Sequence, residues 1–260
     1  MATEYSKQDK EFDTATQEKL DAWGKELTQA DAVLLRQREK LYKPLWEKRD
    51  EVLSKIDGFW PQAIANHEGF AAYFDDVDHP LIAKLKGIKI HRDTEDPRAT
   101  KIEFIFDDNE YLSENSLVKE FQIKSDSKDL GDSEFDWADD LKPIKTEIKW
   151  KSDEKNLCKL KPTSYEDEET FTPGSFFSSF FDCTHPEIAN GIGQLIAESF
   201  YPMAVDWYTG DAVDDDDFDF DDESFSDEDD SEEESEDDDA AEIDLEEKDE
   251  KPAKRARTEQ

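Results

Sequence analysis

Residues 16–60 read TQEKLDAWGKELTQADAVLLRQREKLYKPLWEKRDEVLSKIDGFW, and their spacing decides the fold. Leu20, Trp23, Leu27, Ala30, Leu34, Gln37 and Leu41 alternate steps of three and four, the seam of a heptad helix. The other faces carry Lys19, Asp21, Lys25, Glu26, Asp31, Arg36, Arg38, Glu39 and Lys40, so the apolar stripe is narrow and suits a second helix. Pro44 lacks a backbone donor and predicts a local kink or break. Apolar spacing resumes at Leu45, Trp46, Val52, Leu53, Ile56, Phe59 and Trp60. A helix of about 40 residues is about 60 Å long, more than one small domain covers. Residues 16–60 are therefore expected to form a dimerisation helix, paired through Leu20, Trp23, Leu27, Leu34 and Leu41.

Beyond this helix, 62–74 (QAIANHEGFAAYF) reads as a second, shorter one, closed by the acidic turn Asp75–Asp76–Val77–Asp78. After His79–Pro80 the period shifts toward two. LIAKLKGIKIHRD (81–93), ATKIEFIFDD (99–108), SLVKEFQIKSD (116–126) and KPIKTEIKW (142–150) read as four strands joined by short connections, hence as an antiparallel meander. Ile102, Phe104 and Phe106 fall on one face of the second strand and Glu103 and Ile105 on the other. In the fourth, Ile144, Thr146, Ile148 and Trp150 alternate with charged residues. Residues 126–140 and 151–173 are polar and read as loops; 175–181 and 188–208 read as closing helices, weakened or bent at Gly191, Gly193 and Pro202. The class is α+β, with a flexible N-terminus (1–15), the long helix (16–60), an α+β domain (61–210), an acidic tail (211–250) and a basic end (251–260).

The formal net charge is −39, from 71 acidic against 32 basic residues. The tail alone holds 26 acidic residues and one lysine, Lys248, and so carries 25 of those negative charges. So dense a charge with so few apolar residues predicts disorder in the free tail. With the last ten residues at +3, the preceding 210 remain at −17. Such a field repels phosphate backbones and anionic membranes and draws in basic macromolecules, which argues against nucleic acid as a primary ligand and against a membrane partner. No window approaches the length of a membrane span, and the N-terminus lacks the apolar run of a signal peptide, so a soluble intracellular protein is expected. Cys158 and Cys183, far apart, support neither a disulfide framework nor a four-ligand zinc site. The four histidines show no metal spacing, no phosphate-binding loop or nucleophile elbow occurs, and no cofactor is implied, so the chain reads as a non-enzyme.

Several stretches carry a family resemblance. YKPLWEKRDEVLSKIDGFW (42–60), ATKIEFIFDDNEYLSENSLVKEFQI (99–123), KTEIKWKS (145–152), SFFSSFFD (175–182) and LIAESFYPMAVDWY (195–208), in this order before an acidic tail, resemble the nucleosome assembly protein family, and within it the SET (template-activating-factor) type of histone chaperone. The segment 182–193, DCTHPEIANGIG, departs from the SET pattern. The resemblance implies a headphone-shaped homodimer: long antiparallel helices form the band, and two earmuff domains present an acidic underside to core histones. It places SFFSSFFD on the histone-facing side and so puts forward Ser178 and Asp182 as contacts. Charge alone adds Asp75, Asp76, Asp107 and Asp108, with Asp78, Glu103, Glu110 and Glu166 to Glu169 in the same patches.

Two tail features complete the reading. Ser224, Ser226, Ser231 and Ser235 each have an acidic residue three positions on, the pattern of acid-directed phosphorylation. Lys254, Arg255 and Arg257 form a short basic cluster of the nuclear-import kind, so an import receptor and a nuclear protein that also visits the cytoplasm are expected. The function expected is histone chaperoning in nucleosome assembly. Two alternatives stand beside it: a modulating subunit of a protein phosphatase or histone acetyltransferase, and a carrier of other basic cargo.

Overall fold

A computed structural model describes residues 12–165 and 171–212. The expectations for residues 1–11, for Glu166 to Glu169, and for the tail serines and basic cluster beyond residue 212 lie outside the described residues.

Helix α1 (Thr14–Leu53) is the long element, 40 residues or about 60 Å. Asp13 caps it, accepting the backbone N–H of Thr16 at 3.0 Å and its hydroxyl at 2.7 Å. Pro44 lies inside the helix without ending it. The missing bond frees the carbonyl of Lys40, and both residues are exposed, so water can satisfy it. A turn follows, in which Gly58 takes a φ of 72° and begins α2 (Phe59–Asn66). The second helix read over 62–74 is thus two: α2, then a break at His67, whose ring accepts the N–H of Phe70, then α3 (Glu68–Ala71). The short α4 (His79–Ile82) leads into the sheet.

Strands β1 (Leu85–Arg92), β2 (Thr100–Phe106), β3 (Ser116–Ile123) and β4 (Leu141–Ile144) form one antiparallel sheet in the order β1-β2-β3-β4. The register pairs Ile88 with Phe104 and Ile102 with Lys119, so Ile88, Ile102, Phe104, Phe106, Leu117, Lys119 and Phe121 share the covered face. β4 is shorter than the alternation over 142–150 predicts. Burial still alternates to Trp150, but the backbone leaves β3 at residue 145: Thr146 N–H donates to the carbonyl of Phe181, and Ser113 N–H to that of Lys149.

The two stretches read as loops contain short elements. α5 (Trp137–Asp140) buries Trp137 and is capped by Asp136, and α6 (Leu157–Leu160) precedes a small hairpin of β5 (Ser164–Tyr165) and β6 (Phe171–Thr172). A wide π-helical turn (Phe177–Asp182) then packs Phe176, Phe177, Phe180 and Phe181, all fully buried, under Phe104 and Phe121. α7 (Pro186–Gln194) runs directly into a second π-helical turn (Leu195–Phe200), and α8 (Ala204–Thr209) closes the domain against α2 through Phe59 and Tyr208, stacked at 4.7 Å.

Candidate functional site

Three features of the surface bear on function: the outer face of α1, the acidic residues of the domain, and the buried polar groups that position them.

Helix α1 has two faces. Ala32, Arg36, Trp46, Arg49, Asp50 and Leu53 turn toward the chain's own domain. Arg36 donates to the carbonyl of Glu95 at 2.7 Å and Arg49 to that of Tyr201 at 2.6 Å, while Asp50 accepts the Tyr201 hydroxyl at 2.7 Å. The Arg49 guanidinium lies over the rings of Trp46 and Tyr201, 4.5 and 4.2 Å from their centroids, and Ala32 is covered by the loop at Gly131. The predicted seam lies on the other side. Leu20, Trp23, Leu27, Leu34 and Leu41 are all exposed, Trp23 at 62% and Leu34 at 64%. Leu45 and Val52 continue the same stripe past Pro44. At 100° per residue this stripe points away from the inward face, so the chain's own domain does not account for it.

The acidic residues singled out from sequence gather around one end of the domain, linked by a chain of contacts. Asp75 and Asp76 lie between α3 and α4, and Asp107 and Asp108 follow β2. Asp107 N–H bonds the carbonyl of Lys84, just after α4, and Asp182 ends the first π-helical turn. Most of these carboxylates already hold a lysine: Asp75 is paired with Lys161, Asp107 with Lys86 at 3.1 Å, Asp182 with Lys145 at 2.7 Å and Glu110 with Lys155 at 2.8 Å; Glu114, which the sequence does not single out, pairs with Lys149 at 2.6 Å. The carboxylates of Asp182, Glu114 and Glu110 hold Lys145, Lys149 and Lys155 above the ordinary lysine range. Asp108 accepts from Asn115 at 3.1 Å, and among the described residues neither Asp108 nor the exposed Asp76 has a lysine or arginine partner. Asp153 pairs with Lys159 at 2.6 Å and, with Glu154, extends the region; the sequence reading passed over both.

Ser178 requires a correction. It is buried, and its hydroxyl accepts the N–H of Thr163 at 2.8 Å, so it fastens the β5 approach to the π-helical turn and offers a partner no surface. Asp182, four residues on, stays accessible. Two buried ionisable groups hold this end in place. Lys119, on the covered face of β3, donates to the carbonyl of Cys183 at 2.6 Å, and burial lowers its pKa to about 8. Asp78 accepts the N–H groups of Asp75 (2.9 Å) and Phe176 (2.7 Å), and burial pushes its carboxyl up to about 6. Asp78 is thus a bracket between the Asp75 turn and the Phe cluster, and it is not part of the exposed patch. Glu103 lies outside this end too: it sits on the open face of the sheet, bonded to His91 and Ser116.

The described residues thus make an α+β domain behind a long helix, with an unpartnered apolar stripe and a carboxylate-rich end. They contain no cluster of three or more His, Cys, Asp or Glu placed to hold a metal, and no helix long and apolar enough to cross a membrane. The model of the nucleosome assembly protein (NAP) family matches residues 4–211. The chain belongs to the nucleosome assembly protein family. It is 29% identical over 197 residues to Protein SET of Drosophila melanogaster, a match covering 75% of this chain and 70% of that protein. It is also 29% identical over 239 residues to Nucleosome assembly protein 1;2 of Oryza sativa subsp. indica, covering 72% of this chain and 62% of the relative, so it spans less than two thirds of that protein. Among solved structures it resembles the Vps75 histone chaperone, with a TM-score of 0.56 and 21% identity over 78% of this chain and all of that one, a likeness of fold.

Proposed function

We propose that the protein is a histone chaperone that works as a homodimer, binding core histones and promoting nucleosome assembly. The observation that carries the reading is the family match over residues 4–211. The names of its relatives, nucleosome assembly proteins and Protein SET, point the same way. The exposed stripe from Leu20 to Val52 is where two copies pair. Histone lysines and arginines meet Asp76 and Asp108 first, then displace the intramolecular lysines from Asp75, Asp107 and Asp182. Each such exposed pair contributes only about 0–1 kcal/mol, so displacement costs little and affinity is the sum of many contacts. The acidic tail adds long-range attraction, which phosphorylation of Ser224, Ser226, Ser231 and Ser235 raises further. Lys254, Arg255 and Arg257 engage an import receptor and bring the protein to the nucleus.

The test is equilibrium binding of each core histone pair to the full-length protein near physiological salt, beside polyglutamate of matched charge. Tighter binding than polyglutamate, with preference for one pair, is the expected result. Equal affinity for both ligands would reduce the chain to a polyanion and sink the chaperone reading.

A further inference from the structure

One charge lies on a face of the sheet that packing alone would make apolar. Lys119 is the one fully buried lysine among the described residues. It stands on the covered face of β3, opposite Ile102 and between Leu117 and Phe121 in the alternation, where an apolar side chain would fill the space as well. A buried ammonium loses its hydration and is ordinarily matched by a carboxylate. Lys119 has none in contact: its partners are the carbonyls of Cys183 at 2.6 Å and Phe181 at 3.4 Å. The charge is therefore held by two peptide oxygens that flank a single residue, Asp182.

Those two carbonyls set the direction of the residue between them. Phe181 and Cys183 are buried, and Asp182 turns outward with 42% of its side chain exposed. The Phe181 carbonyl also accepts the N–H of Thr146, the residue after Lys145, and Lys145 is the lysine that pairs with Asp182 at 2.7 Å. On the other side the Cys183 sulfur accepts the N–H of His185 at 3.3 Å, just before α7 begins. Both members of the surface pair are thus keyed to one stretch of backbone, and Lys119 grips that stretch from beneath.

We infer that Lys119 is a positioning residue for the acidic end: from inside the domain it fixes the peptide groups on either side of Asp182, and so holds that carboxylate at the surface where a basic side chain of the partner meets it. For the identity of that partner this rests on the chaperone reading, which it deepens by giving a buried residue a part in histone binding.

The test is a double-mutant cycle in the full-length protein. Lys119→Met removes the grip and leaves an apolar side chain in the packing of the sheet. Affinity for the preferred core histone pair is expected to fall about threefold, the scale of one exposed ion pair. That loss should vanish when Asp182→Asn is already present. A lysine with a merely structural role would weaken binding equally in both backgrounds; that result overturns the proposal, as does unchanged affinity in Lys119→Met. NMR titration of the Lys145 side chain, without histones, reads the geometry itself. Asp182 holds the Lys145 ammonium above the ordinary lysine range. In Lys119→Met, as in Asp182→Asn, it should fall back toward that range, and a Lys145 that titrates as in wild type overturns the proposal. Should Lys119→Met not fold, Lys119→Gln, neutral and one bond shorter, carries both comparisons with the same outcomes expected. A wild-type chain that binds histones no better than polyglutamate sinks the chaperone reading alone, and the Lys145 titration still decides whether Lys119 positions Asp182.

Discussion

At Gly193 a β-carbon would lie 2.4 Å from Cζ of Phe121, a ring fully buried between β3 and α7, so the helix approaches the sheet only because this position has no side chain. Sequence alone marks Gly193 as a weak point of the helix; the structure makes it the contact. Gly193→Ala should destabilise the domain by about 1–3 kcal/mol through overpacking, despite alanine's better helix propensity. A thermal midpoint at or above wild type would refute that packing. Asp78 supplies a second prediction. Its folded pKa, about 6, stands above the ordinary value of 3.8, so the folded state binds the extra proton. The stability it contributes is whole below about pH 4 and is lost as pH rises through about 6. Asp78→Asn keeps an acceptor for the N–H groups of Asp75 and Phe176 but cannot ionise. The variant's unfolding free energy should therefore gain on wild type between pH 4 and 7, by up to about 3 kcal/mol. A difference that stays constant with pH would show that Asp78 ionises without penalty. Lys119 was readable in advance: in SLVKEFQI it shares the parity of Leu117 and Phe121, which puts a lysine on the covered face. The burial of Ser178 was readable as well, since SFFSSFF is apolar around its whole circumference and such a turn goes inside with its serines.

Among elements, α1 is the one that sequence describes best, because 40 residues give a periodicity many turns in which to repeat. Among the described residues its outer stripe is exposed, which separates association from folding. Leu27→Glu with Leu34→Glu should therefore yield monomers whose α+β domain keeps its helicity and cooperative unfolding. Sedimentation showing an unchanged dimer mass would refute pairing through the seam. β1 to β3 were equally legible from their period of two. β4 was not, for the alternation from Ile144 to Trp150 is real, yet the backbone partners beyond residue 144 are Phe181 and the 111–113 segment, far away in sequence. α5 and α6 are four residues each, shorter than two turns, and leave no period to find; what fixes them is a cap, Asp136 or Asn156, and one buried side chain, Trp137 or Leu157.

For the whole molecule, charge is the controlling quantity. Deleting residues 213–250 removes most of the tail's 25 net negative charges, so association with a basic partner should slow by about tenfold or more at low salt, while selectivity among histone pairs, set by the domain, persists. Stopped-flow rates across a salt series check the first half, and identical rates at low salt would exclude electrostatic capture by the tail. Net charge was plain from composition, but its local compensation was not. Lys86, Lys145, Lys149, Lys155 and Lys161 find their carboxylates across 21 to 86 residues of sequence, and only the fold brings them together. Those pairs make the domain a cation exchanger that is already loaded. A bare carboxylate that takes up a histone lysine sheds a sodium ion, whereas Asp182 sheds the tethered ammonium of Lys145, which stays on the protein. Such a swap sets free no solute and hardly feels the ionic strength of the medium. The domain's grip on a basic partner should thus fade more slowly with added salt than its count of carboxylates implies.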